Sequence, residues 1–327
     1  MRVAQAGIDT WSPCWYLAEG SPAERAMRSL ANVRVKRGWV IEESIGGHKI
    51  GWFPGSRLLY AEGHPGGDRL GCPEDLPEVL ERLVGDVEDY GIKLPAGRTL
   101  DQWRVPERRP GFGGVRRCDA TCDLAFDSGA EGIAVLAGVA ALSVPRAQLA
   151  VRFQPGGRAV ETVELKGHGG RKTLGRWYDK SVEAGTGARG TLIRPEDQRR
   201  YVAATRRCVQ EMTSSYVQGG FQRRFLPLWQ ATKGITVAGP MVLAKELAER
   251  AEAGEITWAA AERAAGYLLL QQAGGDERMS VSTRQRRRRE VRGLGLVLAD
   301  GALQEVEVNL HDVLDQVMES DAWGRQG

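Results

Sequence analysis

No stretch of this sequence is apolar for long enough to cross a bilayer. The longest candidate, Ile133 to Val144, falls well short of the roughly 20 residues that a helical span requires. The opening MRVAQAGIDTW lacks the apolar core of a secretory leader, so the expected location is the cytoplasm. Cysteine is sparse: five residues, an odd number at scattered spacings, build no disulfide framework, as expected in a reducing compartment. Cys118 and Cys122 lie near each other, but no second cysteine or histidine pair completes a zinc site. An excess of one charge is missing too. The net charge is only +3, so total charge does not by itself argue for a polyanionic partner. What remains is an ordinary soluble balance, 42% hydrophobic and 27% charged, in 327 residues, which is enough for two or three domains with a sizeable core.

Arginine is where the chain is rich. It clusters at 104–117 (RVPERRPGFGGVRR), at 199–207 (RRYVAATRR) and most densely at 284–292 (RQRRRREVR). A single cluster of this kind also describes a solvated helix face. Three in one chain favour a polyanion, because the planar guanidinium donates two parallel hydrogen bonds to a phosphate.

The element pattern is α+β. Val3–Asp9 reads as a strand, and Ser21-Pro-Ala-Glu24 as a helix start with serine at the cap and proline just inside. Strand-like segments follow near 33–42, 48–53 and 57–61, and Leu76, Val79, Leu80, Leu83 and Val84 share one helical face within 74–90. A proline- and glycine-rich connection at 93–114 leads to a second run. That run has a strand at 115–126, a helix near 130–142, strands at 148–154, 159–166, 172–179 and 189–194, and a helix from about 196 to 217. Both runs open with a strand bearing an early acid, Asp9 or Asp119, which suggests a pseudo-duplicated sheet.

The last 90 or so residues differ in character. Two helices, around Leu243–Ala251 and ending near Leu270, precede a third that starts at Ser280 or Ser282 and carries Arg284 and Arg286 to Arg289. Asp300-Gly301 between two strand-like runs then signals a hairpin. Three helices, a basic third helix and a hairpin describe a winged helix-turn-helix, whose third helix enters the DNA major groove; a structural three-helix tail is the other reading. The expected segments are 1–105, 106–235 and 240–327.

Some motif matches fail on context. Gly185-Thr-Gly187-Ala-Arg-Gly190 fits a dinucleotide fingerprint but leads into strand-like Thr-Leu-Ile-Arg, so no helix N-terminus is there to hold a pyrophosphate. His168-Gly-Gly-Arg171 sits among glycines, with Tyr178 only seven residues after Arg171, unlike the helical pair of the tyrosine recombinases. The segment 176–180 is more informative, because Arg176, Tyr178 and Lys180 fall on one face of a strand. A phenol, with a pKa near 10, is a poor nucleophile unless cations favour its anion. Asp119 and Asp123 also share a strand face, and Glu183 and Glu196 follow the tyrosine; carboxylates of this kind are hard ligands for Mg²⁺ or Mn²⁺. Spacing alone equally describes an edge-strand tyrosine.

Three segments in order, Arg117-Cys-Asp119-Ala-Thr-Cys-Asp123, Gly175-Arg-Trp-Tyr178-Asp-Lys180-Ser-Val-Glu183 and Gly190-Thr-Leu-Ile-Arg194-Pro-Glu196, resemble motifs of the replication initiation factor (Rep_trans) family. That family includes rolling-circle plasmid, phage and integrative-element initiators and related relaxases, and the likeness spans roughly residues 110–300. It implies a twisted antiparallel-sheet nicking domain with pseudo-twofold halves, followed here by the winged-helix-like segment. It further implies that Tyr178 attacks a phosphodiester and becomes joined to the 5′-phosphate. Asp119, Glu183 and Glu196 would hold Mg²⁺ or Mn²⁺, with Asp123 a weaker ligand, and Lys180 and Arg194 would hold phosphate beside Arg176. Arg286, Arg287, Arg288, Arg289 and Arg292 would bind duplex origin DNA. Pro195 departs from the family's pattern and loosens the placement of Glu196. Histidine occurs only at 48, 64, 168 and 311, with no His-x-His pair, so the metal work falls to carboxylates. Implied partners are origin duplex, the exposed single strand, a host helicase and polymerase, and a second subunit where the enzyme is a homodimer. A mobilisation relaxase with the same chemistry, or a non-catalytic winged-helix regulator, are the alternatives.

Overall fold

In the computed structural model the described residues are 1–35, 38–67, 69–95, 111–145, 147–153, 160–167, 173–181, 188–202, 205–272, 275–298 and 306–323. Glu183, the His168–Arg171 loop and the Asp300-Gly301 turn lie outside them. The elements form a mixed α+β fold with a large, mainly antiparallel sheet component. Two compact units emerge. One comprises Gln5–Thr121, Glu196–Arg223 and Asp321–Gly327; the other comprises Met1–Ala4, Cys122–Pro195 and Arg224–Ser320. We call them the carboxylate unit and the tyrosine unit. They are interleaved along the chain, so the expected boundaries near 105 and 240 do not mark them.

The first run begins with β1 (Arg2–Tyr16) and α1 (Pro22–Leu30). Ser21 caps α1 by accepting from the Glu24 amide at 3.2 Å, as the Ser-Pro start requires. Then come β2 (Val33–Val35), β3 (Gly38–Ile45), β4 (His48–Phe53) and β5 (Leu58–Gly63), in the spatial order β2-β3-β4-β5-β1 with antiparallel pairing. Gly46 and Gly47 both take positive φ in the two-residue turn between β3 and β4, the conformation a tight hairpin demands. Helix α2 (Leu76–Asp89) buries Leu76, Val79, Leu83 and Val87 along one face, with Leu80 and Val84 at its margin. Truncating Leu83 to alanine there costs about 2–5 kcal/mol.

The second run repeats the order of elements. Strand β6 (Gly111–Ala125) and α3 (Gly129–Ala141) precede β7 (Gln148–Phe153), β8 (Val160–Lys166), β9 (Thr173–Asp179) and β10 (Leu192–Arg200), arranged β6-β10-β9-β8-β7. In each run the last strand of the meander lies beside the opening strand. The segment after Pro195 corrects the helix expected from 196: β10 runs through Pro195 to Arg200, and the helix, α4 (Ser214–Ala231), starts later. Glu196 and Asp197 are buried strand residues with side-chain partners.

The C-terminal region supplies β11 (Thr236–Ala238), α5 (Pro240–Glu252), α6 (Trp258–Gln272), α7 (Val281–Gly293), β12 (Leu296–Leu298), β13 (Glu307–Asn309) and α8 (Leu310–Glu319). Three helices with a basic third one are present, and Ser280 caps α7 as expected. The hairpin expected at Asp300-Gly301 falls on residues outside the described ones; among the described residues β11 lies between β12, to which it is parallel, and β13, to which it is antiparallel, so β12 and β13 do not pair with each other. Leu243, Leu247, Ala264, Leu268, Val291 and Leu296 join the helices to this small sheet in one core. Gly138 of α3 has no room for a side chain, because a Cβ there would come within 2.5 Å of Val237. That close packing ties the C-terminal region to α3 within the tyrosine unit. Among the described residues no helix is long and apolar enough to cross a membrane.

Candidate functional site

In the carboxylate unit, β6 carries Asp119 into the interior, where it is 1% exposed. Arg117, two residues earlier on the same strand face, donates Nε to Asp119 Oδ2 at 2.9 Å and a second bond from its terminal nitrogen. The other arm of Arg117 reaches Glu62 Oε1 on β5 at 2.7 Å, and Arg116 holds Glu62 Oε2 at 2.9 Å. Arg116 also lies 4.2 Å from the Tyr60 ring centroid and donates to Ser12 Oγ. Asp119 Oδ1 is different: it is buried and accepts no hydrogen bond among the described residues. Burial pushes the Asp119 carboxyl up to about 7 against the pull of Arg117, and the charges of Glu196 and Asp9 add to the rise.

Glu196, on β10, is fully buried, and Gln198 orients it by donating to Oε1 at 2.7 Å. On β1, the Asp9 carbonyl accepts from His64 Nδ1 at 2.6 Å. Beside Glu196 is a buried pair that spacing did not reveal. Arg199 donates to Asp197 and to the Val217 carbonyl at 2.7 Å, and the missing side chain of Gly220 makes room for its guanidinium.

An unpartnered buried carboxylate oxygen near a second buried acid is chemically suited to a divalent cation. Mg²⁺ commonly uses one or two carboxylates and completes its shell with water and phosphate. Asp119 and Glu196 fit that requirement. No group of three metal-ligating side chains occurs among the described residues, and Glu183 lies outside them.

In the tyrosine unit, Tyr178 sits near the end of β9, opposite Thr162 of β8, and is 6% exposed. Strand β9 lies between β10 and β8, which rules out the edge-strand reading. Arg176 shares its face, with the guanidinium carbon 4.4 Å from the Tyr178 ring centroid. Trp177 points to the opposite face and meets Phe225 of α4 edge-on, with centroids 6.1 Å apart. Asp179 closes the strand: its carboxylate accepts from the Ser181 amide at 3.1 Å, from the Ser181 hydroxyl, and from the Gly190 amide at 2.9 Å. Lys180, which follows, is half-buried.

Arg189 and Gly190 are packed against glycines far away in sequence. A Cβ on Gly132 of α3 would lie 1.9 Å from the Gly190 carbonyl oxygen, and one on Gly129 would lie 2.0 Å from that of Arg189. The helix backbone therefore packs directly on the loop that Asp179 grips.

Asp123 and Arg194 face each other in the tyrosine unit as a buried pair. The Arg194 fork donates to both oxygens of Asp123, from the terminal nitrogen at 2.7 Å. Each charge is answered by the other, so this pair reads as structural, unlike the ligand and phosphate roles that the resemblance implies. On α7 the basic residues divide. Arg287 pairs with Glu290 at 2.7 Å, and Arg286 lies 4.0 Å from the same acid. Arg289 is exposed and donates to the Gln285 carbonyl. Arg288 bonds the Tyr267 hydroxyl at 3.2 Å and lies 3.4 Å from Asp276, and Arg292 stands one turn further on.

Spacing missed Glu62, His64 and Gln198. Glu62 lies 55 residues from Arg117, so only the folded sheet brings them together. Alternation along β10 does place Gln198 on the face of Glu196.

No protein-family model matches the chain, and no curated relative matches it either. Among solved structures, a rolling circle replication initiator protein from Geobacillus stearothermophilus aligns with a TM-score of 0.32 and 12% identity, covering 67% of this chain and 84% of that one. A likeness at that level establishes no shared fold.

Proposed function

We propose that this chain nicks and rejoins one strand of DNA as a rolling-circle replication initiator, with Tyr178 as the nucleophile. The observation that carries the reading is Asp119, a buried carboxylate with one oxygen unpartnered beside acidic neighbours, on the strand that the family resemblance assigns to the metal. Tyr178 supports it: a tyrosine on an interior strand, with an arginine against its ring and its strand end tied down by Asp179.

In this mechanism the phenol oxygen forms a bond to phosphorus as the bond from phosphorus to the 3′-oxygen breaks. The phenol gives up its proton and the leaving oxygen takes one, producing a free 3′-hydroxyl and a 5′-phosphotyrosine. Reversal rejoins the strand without ATP, because one phosphoester replaces another. Arg176 orients the ring and favours negative charge on it, and Lys180 receives the phosphate. Asp119 and Glu196 would hold Mg²⁺ or Mn²⁺, which supplies Lewis acidity to a phosphate oxygen. Arg286 and Arg289 on α7 would bind origin duplex, and a host helicase and polymerase would extend the freed end. A relaxase shares every step and differs only in the origin it recognises.

The test is a denaturing gel. Incubated with a labelled pool of single-stranded oligonucleotides and Mn²⁺, the wild type should carry label covalently, and Tyr178→Phe should carry none. Equal labelling of the two would overturn the reading.

A further inference from the structure

A second site lies in the tyrosine unit, formed by residues that the nicking chemistry does not use. A cleft of about 470 Å³ opens between α3, β7 and β8 on one side and α6, α7 and β12 on the other. That volume falls within the range typical of small-ligand pockets. Its floor is aliphatic, with Ile133, Val160 and Leu268 among the lining residues. Phe153 stands at its margin at the end of β7, the terminal strand of the run, and is 57% exposed.

The opposite wall is basic. Arg284, Arg288 and Arg292 recur every four residues, so one stripe of α7 lines the cleft. Arg288 is fixed by Tyr267 and Asp276, while the guanidinium groups of Arg284 and Arg292 have no hydrogen-bond or ion-pair partner among the described residues. Burial and the neighbouring Arg288 lower the Arg292 pKa, and Tyr267 opposes the fall. Asp276 and Glu277 also line the cleft, at the Arg288 end.

We infer that this cleft binds single-stranded DNA, with a base stacked on Phe153 and phosphates two nucleotide steps apart on Arg292 and Arg284. Three observations favour that occupant. Arginine forks match phosphate oxygens in pairs. Arg284 and Arg292 stand eight residues apart, about 12 Å along the helix axis, a spacing of the order of two nucleotide steps in an extended strand. An exposed aromatic ring next to a basic stripe is the arrangement by which proteins hold unpaired bases without reading their sequence. The α7 helix then has two basic faces, an outer one carrying Arg286 and Arg289 and an inner one serving the cleft. The inference stands on the cleft alone and does not require the tyrosine chemistry.

The experiment measures fluorescence anisotropy of the full chain with labelled oligothymidylate of about ten nucleotides. Phe153→Ala removes an exposed side chain and should weaken binding about tenfold. The double variant Arg284→Gln, Arg292→Gln should weaken it further and flatten its salt dependence. Lys245→Gln, a loss of surface charge elsewhere, should bind as wild type. Oligonucleotides bearing 5-iododeoxyuridine should photocross-link to Phe153 in peptide maps. Unchanged affinity in both cleft variants, or cross-links confined to other regions, would overturn the proposal. So would an acidic amphipathic peptide that binds the wild type, loses affinity with Phe153→Ala and is not displaced by oligothymidylate.

Discussion

Asp119 and Asp123 lie four residues apart on β6, and both are buried, yet their surroundings are opposite in kind. Asp123 is closed: Arg194 donates to both of its oxygens, and neither group is left wanting. Asp119 is open: Arg117, shared with Glu62, satisfies one oxygen, the other has no hydrogen-bond partner among the described residues, and Glu196 and Asp9 make its charge harder to keep. A fully paired buried acid is part of the scaffold. One held open among like charges is kept against its own preference, and such groups gather where chemistry is done.

Exchanging each acid for its amide should break the comparison most sharply. Asp123→Asn leaves Arg194 buried without its counter-charge and should cost about 3–5 kcal/mol, read as a lower denaturation midpoint. Asp119→Asn removes an unfavourable charge while losing part of its bond to Arg117, so its stability should stay within about 1 kcal/mol of wild type. Covalent labelling by DNA should nevertheless disappear in Asp119→Asn, together with any rise in melting temperature on adding Mn²⁺. Equal destabilisation by the two amides would remove the distinction.

Gly132→Val comes next. Its side chain would collide with the Gly190 carbonyl, so the loop gripped by Asp179 must shift. Overpacking of this kind costs about 1–3 kcal/mol, and the covalent adduct should fall more steeply than stability does. An adduct yield equal to wild type would detach this loop from the tyrosine. A smaller effect is expected for Arg176→Met, which keeps the aliphatic cover but removes the cation from the Tyr178 ring. Nicking should slow about fivefold, given a contribution near 1 kcal/mol for such a contact, with little change in the melt.

The smallest effect concerns pH and the scaffold of the carboxylate unit. Trp11 Nε1 donates to His48 Nε2 at 2.9 Å, and His48 Nδ1 donates to the Gly46 carbonyl at 2.8 Å. Burial, and to a smaller degree the charge of His64, lower the His48 pKa from its ordinary 6.5, although the Gly46 carbonyl and Asp86 oppose the fall. The unfolded chain therefore binds this proton more readily than the folded one. The stabilisation is complete above pH 6.5 and declines as pH drops through the lowered folded value. Melts of His48→Gln between pH 7 and 5 should show a shallower decline than wild type; parallel curves would show that this imidazole is not responsible.

Much of the scaffold was legible because its signals are local. The Ser21-Pro22 cap, the apolar face of α2 and the closely spaced strands β7 to β9 all follow from periodicity and turn chemistry. The failures have one physical source, partners distant in sequence. Glu196-Asp197 after a proline looks like the first turn of a helix until Gln198 and Arg199 are seen to hold both acids inside a strand. The runs around Asp300-Gly301 look like a hairpin until the three-residue β11 is found between them, too short to show any period. At the site, Tyr178, Asp119 and Glu196 were legible as residue types in sequence order. The pairing of Asp123 with Arg194, across 71 residues, was not.

The central claim is that one tyrosine becomes covalently joined to DNA. Peptide mapping by mass spectrometry, after incubation with oligonucleotide and Mn²⁺ and nuclease trimming, tests it most directly. The account predicts a nucleotide on the peptide containing Tyr178 in the wild type, and none in Asp119→Asn. A nucleotide on Tyr201 or Tyr216 instead, or an adduct that survives in Tyr178→Phe, would contradict it.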